Sequence, residues 1–411
     1  MGNLLTKTFA ALEVRNFKLF ISGQGISLCG TWMQTIGLSW LVLQMTHSGT
    51  QLGLVVAAQF VPIMVLGVWG GVIADRFDKR TTLYFTQSAF GLLALTLGLL
   101  VVSHSESLWM VYVLAVMFGL VNVADTPTRQ SFVIEMAGEK HLKNAITLNS
   151  TMVNMARLIG PTIAGIIIAT LGVGACFLIN ALSYIAVIIA LKLMRESELM
   201  RAPKVKRMPR QIRDGLTYVW HVPRLKTTIL MMFIIGTFAY EFPVIFPLFA
   251  TLTLHGNAGT YAEMMAALGV GSVFGGLYTA GQAVVKDQHL IYSALAFGGL
   301  IVLASLMPSK LSVLIILILV GALSVVFVAL GNTLLQLTSR SDMRGRVMSL
   351  WAIAFAGTTP IGGPLIGYIS DHSNPRVGLA IGGVSAIVAS GLGLYLFHRS
   401  NGNNLELEAN K

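Results

Sequence analysis

The sequence predicts an all-α integral membrane protein: twelve transmembrane helices in two six-helix bundles related by pseudo-twofold symmetry. Three observations predict it. Of 411 residues, 55% are hydrophobic and 11% charged, where a soluble domain carries roughly 25% charged residues. The apolar residues collect into runs close to the about 20 that a helix needs to cross a bilayer. Landmarks of the first half recur in the second. The alternation of a membrane barrel is absent, which leaves helices as the spanning element.

Runs between charge clusters and Gly, Pro or Asn turns give the segments in order. Segment one, 17–45, carries Gln24, Ser27, Thr31 and Gln34 on one helical face, and is too long for a signal sequence. Segment two, 50–74, runs into the charged turn Asp75-Arg76-Phe77-Asp78-Lys79-Arg80. Segments three, 81–103, and four, 107–128, follow, with Asn122 and Asp125 toward the inner end of four. Segment five, 143–171, has a second polar face, Thr147, Ser150, Thr151, Asn154 and Arg157, and then Gly160-Pro161. Segment six is 173–194. Segment seven, 227–254, holds Glu241, and Pro243 and Pro247 predict a kink in it. Segment eight, 258–285, has Glu263 near its outer end. Segments nine, 288–307, and ten, 310–338, precede eleven, 345–370, and twelve, 376–398. Gly67/Gly71 and Gly271/Gly275 have the spacing of small residues at close helix contacts.

Lys and Arg sort the loops. With the N-terminus inside, Lys310 and Arg376 are the basic residues left outside, and Arg157 is the one deep in a segment. The remainder gather on one side, the positive-inside pattern. Both termini are therefore expected in the cytoplasm, with the chain multi-pass in a bacterial inner membrane. The net charge of +11 reads as topology, with some attraction to anionic headgroups, and not as a nucleic-acid surface. The expected domains are a bundle over 1–194, a basic cytoplasmic linker over 195–226, a second bundle over 227–400 and a tail over 401–411. The linker is expected to carry an amphipathic helix around Arg210–Trp220 on the membrane surface.

Several chemistries are excluded. Cys29 and Cys176 lie in apolar runs and read as small packing residues. The eight histidines show no ligand-like spacing, so no metal is expected, nor any cofactor. No Gly-rich loop ends in Gly-Lys-Ser/Thr, which argues against direct drive by ATP. No nucleophile, base and orienting group occur together, so an enzyme is not expected.

The repeat is specific. Asn122 and Gly160-Pro161 are matched by Asn332 and Gly363-Pro364, and a glycine follows each pair, Gly165 and Gly367. Parallel duplicated halves mark secondary transporters. The chain resembles the major facilitator superfamily. The turn Gly71-Val-Ile-Ala-Asp75-Arg76-Phe-Asp-Lys79-Arg80 looks like that superfamily's signature between its second and third helices, Gly-x-Leu-Ala-Asp-Arg-x-Gly-Arg-Arg, with Ile73 for Leu and Asp78 for the second Gly. With Arg157-Leu-Ile-Gly-Pro161 and Arg344-Gly-Arg-Val-Met-Ser349, it is similar to the drug:proton antiporter branch that includes enterobactin-exporter-like transmembrane secretion effectors.

The resemblance implies candidate sites. Gly71, Asp75, Arg76, Lys79 and Arg80 would form a gating motif, in which Asp75 pairs with Arg76 or Arg80 or faces the N-terminal end of segment eleven. Gly160, Pro161 and Gly165 resemble an antiporter motif, with Ala164 replacing one glycine. Helices one, four, seven and ten would line a central path, with five and eight beside them. Gln34, Thr31, Asn122, Asn154, Tyr240 and Phe238 are then cavity-lining candidates, with interhelical hydrogen bonding as the bland alternative.

Arg157 and Glu241 each lie about fourteen residues into their segments, near mid-membrane at about 1.5 Å per residue. A charge there costs about 2.5–3.5 kcal/mol and marks a functional position. Glu241 is expected to be the proton site or the acceptor of a cationic group. Arg157 is expected to hold that carboxylate or grip an anionic substrate, unless it forms a fixed pair with Asp125 or bonds helix carbonyls.

The function so implied is export of small amphiphilic molecules (drug, siderophore or similar metabolite) by proton antiport with alternating access. The partners would be a small-molecule substrate, protons and membrane lipids, and the protein would act as a monomer. An uncoupled facilitator that moves lipids, such as a lysophospholipid flippase, and a non-transporting membrane sensor are the other readings.

Overall fold

A computed structural model describes residues 9–200, 211–280, 286–340 and 343–409. Residues 1–8 of the first expected bundle, 201–210 of the linker, 281–285 of segment eight and 410–411 of the tail lie outside the described residues. The described residues are helical almost throughout and contain no strand.

In chain order the helices are α1 (Arg15–Thr46), α2 (Gly49–Arg76), α3 (Lys79–Val102), α4 (Leu108–Gly138), α5 (Lys140–Leu171) and α6 (Val173–Leu193). Then come α7 (Gln211–His221), α8 (Pro223–Phe238), α9 (Phe242–Leu248), α10 (Ala258–Ala280), α11 (Asp287–Leu306), α12 (Lys310–Thr338), α13 (Arg344–Ala356), α14 (Thr359–His372) and α15 (Pro375–Ala409). Among the described residues, 11 helical stretches are long and apolar enough to cross a membrane.

Segments seven and eleven are broken rather than merely kinked. Pro243 stands in the first turn of α9, where a missing N–H is tolerated. The helix therefore stops at Phe238 and restarts at Phe242. Pro360 does the same for α14, splitting segment eleven at Gly357–Thr358. Gly138, at φ 63°, makes the turn between α4 and α5; the left-handed region suits glycine.

The chain divides into two compact units. Unit one is Met1–His47, Ala58–Lys206 and Asn257–Ala266; unit two is Ser48–Ala57, Arg207–Gly256 and Ala267–Lys411. The first turns of α2 thus belong to unit two, and those of α10 to unit one. These are the second helices of the two repeats.

In unit one, α1 packs on α5 and α6, and α3 packs on α4 and α6. Gly70 presses its backbone onto the Val123 carbonyl of α4, and Gly119 answers onto Gln59 of α2. The spacing of Gly67 and Gly71 pointed a step away from this contact. A Cβ on Gly67 meets only Ile63 of its own helix, at 3.9 Å.

In unit two, α11 and α8 pack on α15, and α12 packs on α11. Gly271 and Gly275 rest on the Ile318 and Ala322 carbonyls of α12, with Gly321 returning the contact to Leu268. Arg376 donates to the Ser305 and Met307 carbonyls at 2.6 and 2.9 Å. A cation at a helix C-terminus is favoured there, which gives this departure from the charge pattern a structural role. The linker helix α7 is fastened within unit two. Asp214 lies 3.5 Å from Arg346, and the Tyr218 hydroxyl accepts from the Arg340 N–H at 3.2 Å. Its Leu216 and Trp220 remain exposed.

Candidate functional site

The charged turn after α2 closes unit one at its basic end. Asp78 caps α3, accepting from the Thr81 N–H at 2.8 Å and the Thr81 hydroxyl at 2.9 Å. Lys79 pairs with the buried Glu135 of α4 at 2.5 Å. Arg80 donates to the Leu191 and Lys192 carbonyls at the end of α6 and pairs with Glu196 at 2.6 Å. Asp75 and Arg76 stand exposed at the end of α2, one turn after Gly71. Two of the motif's cations are thus tied to α4 and to the end of α6.

Arg157 sits within unit one on the face of α5 that meets α1. Its guanidinium lies 5.0 Å from the Trp32 ring centroid, a cation–π distance. One turn on, a Cβ at Gly160 would lie 2.5 Å from the Trp32 Cβ and 2.8 Å from the Cys29 carbonyl. Glycine at that position, followed by Pro161, lets the Trp32 side chain seat beside Arg157. Gly165 faces Ala262 of α10, where a Cβ would come within 2.8 Å.

The other polar candidates have local partners. Gln34 accepts from the Asn180 amide at 2.6 Å and is buried. Thr31 donates to the Ser27 carbonyl and lies 3.4 Å from the Tyr184 hydroxyl. Asn122 accepts from Thr126 at 2.6 Å, and Asn154 donates to the Ser150 carbonyl at 3.0 Å.

Glu241 occupies the break between α8 and α9 in unit two. It is 2% exposed. Among the described residues its Oε1 has no hydrogen-bond partner, while the Thr359 side chain hydrogen-bonds the carboxylate. A Cβ on Gly362 would lie 3.0 Å from Oε1, and one on Gly363 3.4 Å from Oε2. The bare backbone of α14 therefore makes room for the acid, and two helix breaks flank it. Interrupted helices at mid-membrane are where transporters build ion and substrate sites. Tyr240 beside it donates to the Ser324 carbonyl at 2.8 Å and sits among Phe242, Phe297 and Phe355 at 6.1, 5.4 and 5.2 Å between ring centroids. Phe238 is the half-buried last residue of α8. Arg157 and Glu241 lie in separate units.

Asp125 anchors an ionic cluster whose other members the sequence analysis does not name. Asp125, 1% exposed, accepts from Thr86 at 2.7 Å and Gln87 at 2.8 Å on α3, and lies 3.5 Å from Arg129 one turn along α4. Arg129 is an ion-pair partner of Asp125 that the sequence analysis does not name. The signal was available: Arg129 follows Asp125 at i+4, the spacing of a helical ion pair.

Comparison with known proteins shows the family. A family model described as transmembrane secretion effector matches residues 6–411. The chain is 25% identical over 375 residues to the staphyloferrin A transporter of Staphylococcus aureus (strain NCTC 8325 / PS 47), covering 90% of this chain and 93% of that one. It is 26% identical over 400 residues to the enterobactin exporter EntS of Escherichia coli O1:K1 / APEC, covering 95% and 91%. It is 24% identical over 384 residues to the multidrug efflux pump Tap of Mycolicibacterium fortuitum, covering 90% of each. Among solved structures, a bacterial homolog of the human lysosomal transporter Spinster, in an inward-facing and occupied conformation, shares the fold at TM-score 0.73, with 14% identity, 94% of this chain and 97% of that chain covered. A POT family transporter in complex with a thioalcohol conjugated peptide does so at TM-score 0.76, with 13% identity, 94% and 96% covered. These relatives are transporters, not enzymes. With the duplicated landmarks, the broken helices and the charged turn in hand, the chain belongs to the major facilitator superfamily, within its transmembrane secretion effector family.

Proposed function

We propose that this transporter exports small amphiphilic molecules, a drug or a siderophore, in exchange for protons, as a monomer in a bacterial inner membrane with both termini in the cytoplasm. Its two repeats, 1–194 and 227–400, act as the moving parts of alternating access. Glu241 is the proton site, and Arg157 handles the substrate's charge or the carboxylate in one state. Asp75 latches the cytoplasmic side when it is closed.

The observation that carries this reading is Glu241 itself. It is an enclosed acid with one oxygen free of donors among the described residues, at the break of a helical stretch long and apolar enough to cross a membrane. Ionisable residues inside membrane segments mark proton relays and ion pathways. Proton entry supplies about 2.3 kcal/mol per 100 mV and about 1.4 kcal/mol per pH unit, enough to drive an exporter. The siderophore and drug classes are supported by the names of the relatives above.

The test is flux in proteoliposomes with an imposed pH gradient, using enterobactin and a cationic dye as probes. Wild type exports with the gradient. Glu241→Gln loses the gradient-driven component by at least tenfold, and Arg157→Ala lowers turnover. Full gradient-driven export by Glu241→Gln rejects the proton site. Wild-type flux that ignores a collapsed gradient rejects coupling and points to the facilitator.

A further inference from the structure

We propose that Asp371 is a gating residue of the transport cycle: its carboxylate is a releasable clasp on the tip of α2. Asp371 stands one residue from the end of α14. Its Oδ1 accepts from the Gly49 N–H at 2.6 Å. Its Oδ2 accepts from the Thr50 N–H at 2.8 Å, the Thr50 hydroxyl at 2.7 Å and the Ser48 hydroxyl at 2.8 Å. Two of these donors are amides of the first turn of α2, which have no partner within their own helix and carry the positive end of its dipole.

The contact continues along both backbones. Cβ atoms on Gly49 and Gly367 would each strike the other's carbonyl, and one on Gly53 would strike Gly363 and lie 2.8 Å from the Pro364 Cα. No side chain separates the two helices there. Leu248 of α9 closes the remaining side, 2.5 Å from where a Gly49 Cβ would stand.

The piece of α2 held this way is Ser48–Ala57, which belongs to unit two, while the rest of the helix from Ala58 belongs to unit one. Pro62 lies just inside that boundary. Having no N–H, it leaves the Ala58 carbonyl without its i+4 donor. The tip of α2 thus groups with unit two and its body with unit one, and Pro62 weakens the turn that follows the change. Asp371 is exposed at its end of unit two. Water can therefore replace the four donors when the tip lifts, and the net cost of release stays modest. A buried carboxylate could not let go in this way.

On the topology of the proposed function, this end faces outside. The clasp then holds the outer side shut, and its release accompanies outward opening.

Labelling tests it on the full chain in membrane vesicles. The background carries Cys29→Ser and Leu248→Cys, and keeps the buried Cys176 as an internal control. A membrane-impermeant maleimide is added to right-side-out and to inside-out vesicles. Asp371→Asn raises labelling at position 248 at least fivefold with Cys176 unchanged, and Asp371→Glu returns it at least halfway. The double change Ser48→Ala/Thr50→Val, which leaves Asp371 in place, raises it two- to threefold. A rise from the inside-out vesicles alone keeps the clasp and rejects the topology. No rise with either variant from either side overturns the clasp. If Asp371→Asn also exposes Cys176, the Ser48→Ala/Thr50→Val result decides alone.

Discussion

Asp125 carries a charge inside an apolar helix pair, and its three partners hold it there. Breaking a buried pair by removing one member costs about 3–5 kcal/mol, because the survivor is left without compensation. Here Arg129 is partly exposed, at 25% of its side chain, so the lower end applies. Asp125→Ala should lower the melting temperature of the detergent-solubilised protein markedly. Asp125→Asn, which keeps an acceptor for Thr86 and Gln87, should lower it much less. Equal melting temperatures for the two would show that the hydrogen bonds from α3 contribute nothing. At this scale the sequence displayed the charges but not their partners. Asp125, Glu241 and Arg157 each interrupt an apolar run, which one dimension shows. That Lys79 meets Glu135, or that Glu241 faces bare glycine backbone, depends on which helices become neighbours. Asp78 was legible by a local rule, since an acid three residues before Thr81 can cap the helix between them. It looked anomalous only because the family signature has glycine in its place.

Among the helices, close approach is set by glycine, and position decides whether a glycine matters. Gly271 of α10 sits on the Ile318 carbonyl of α12, while Gly299 of α11 has nothing within 4 Å of where a Cβ would stand. Overpacking costs roughly 1–3 kcal/mol, whereas alanine is about 1 kcal/mol better than glycine in an open helix. Gly271→Ala should therefore reduce thermal stability, and Gly299→Ala should leave it unchanged or raise it. Matching losses from both would mean that backbone contact is not what Gly271 provides. The repeat gives the same lesson. Gly165 and Gly367 matched by register in the sequence, and each now receives the first turns of a crossing helix, α10 and α2 respectively. Register could show that they correspond, but not what they touch. The breaks were half legible. Pro243 signals the one at Glu241, whereas Pro360, past the middle of segment eleven, marks an interruption that the continuous apolar run conceals.

For the molecule as a whole, the apolar composition and the twofold repeat fixed the class of fold, while the division of α2 and α10 between units has no signature in composition. It follows from glycine contacts made at the tips of those helices. That division makes α2 the one helix with a proposed latch at each end. In the proposed cycle Asp75 latches its basic end and Asp371 clasps its tip. The clasp sets an acid against a helix N-terminus, a contact worth about 0.3–1 kcal/mol from the dipole alone when exposed. If, as proposed, the two hold opposite sides shut, loss of one tilts the balance between the two accessible states the opposite way to loss of the other. Asp75→Asn should raise maleimide labelling at cytoplasmic cysteine probes and lower it at position 248, and Asp371→Asn should do the reverse. The double variant Asp75→Asn/Asp371→Asn should return both labelling ratios toward wild type, because the two tilts oppose each other. Its exchange between states should nonetheless be faster, since both ground states have lost a contact that must break before the transition. Double-variant ratios that follow Asp371→Asn alone would mean that Asp75 does not act on the same equilibrium, and that the basic turn after α2 serves unit one only through Lys79 and Arg80.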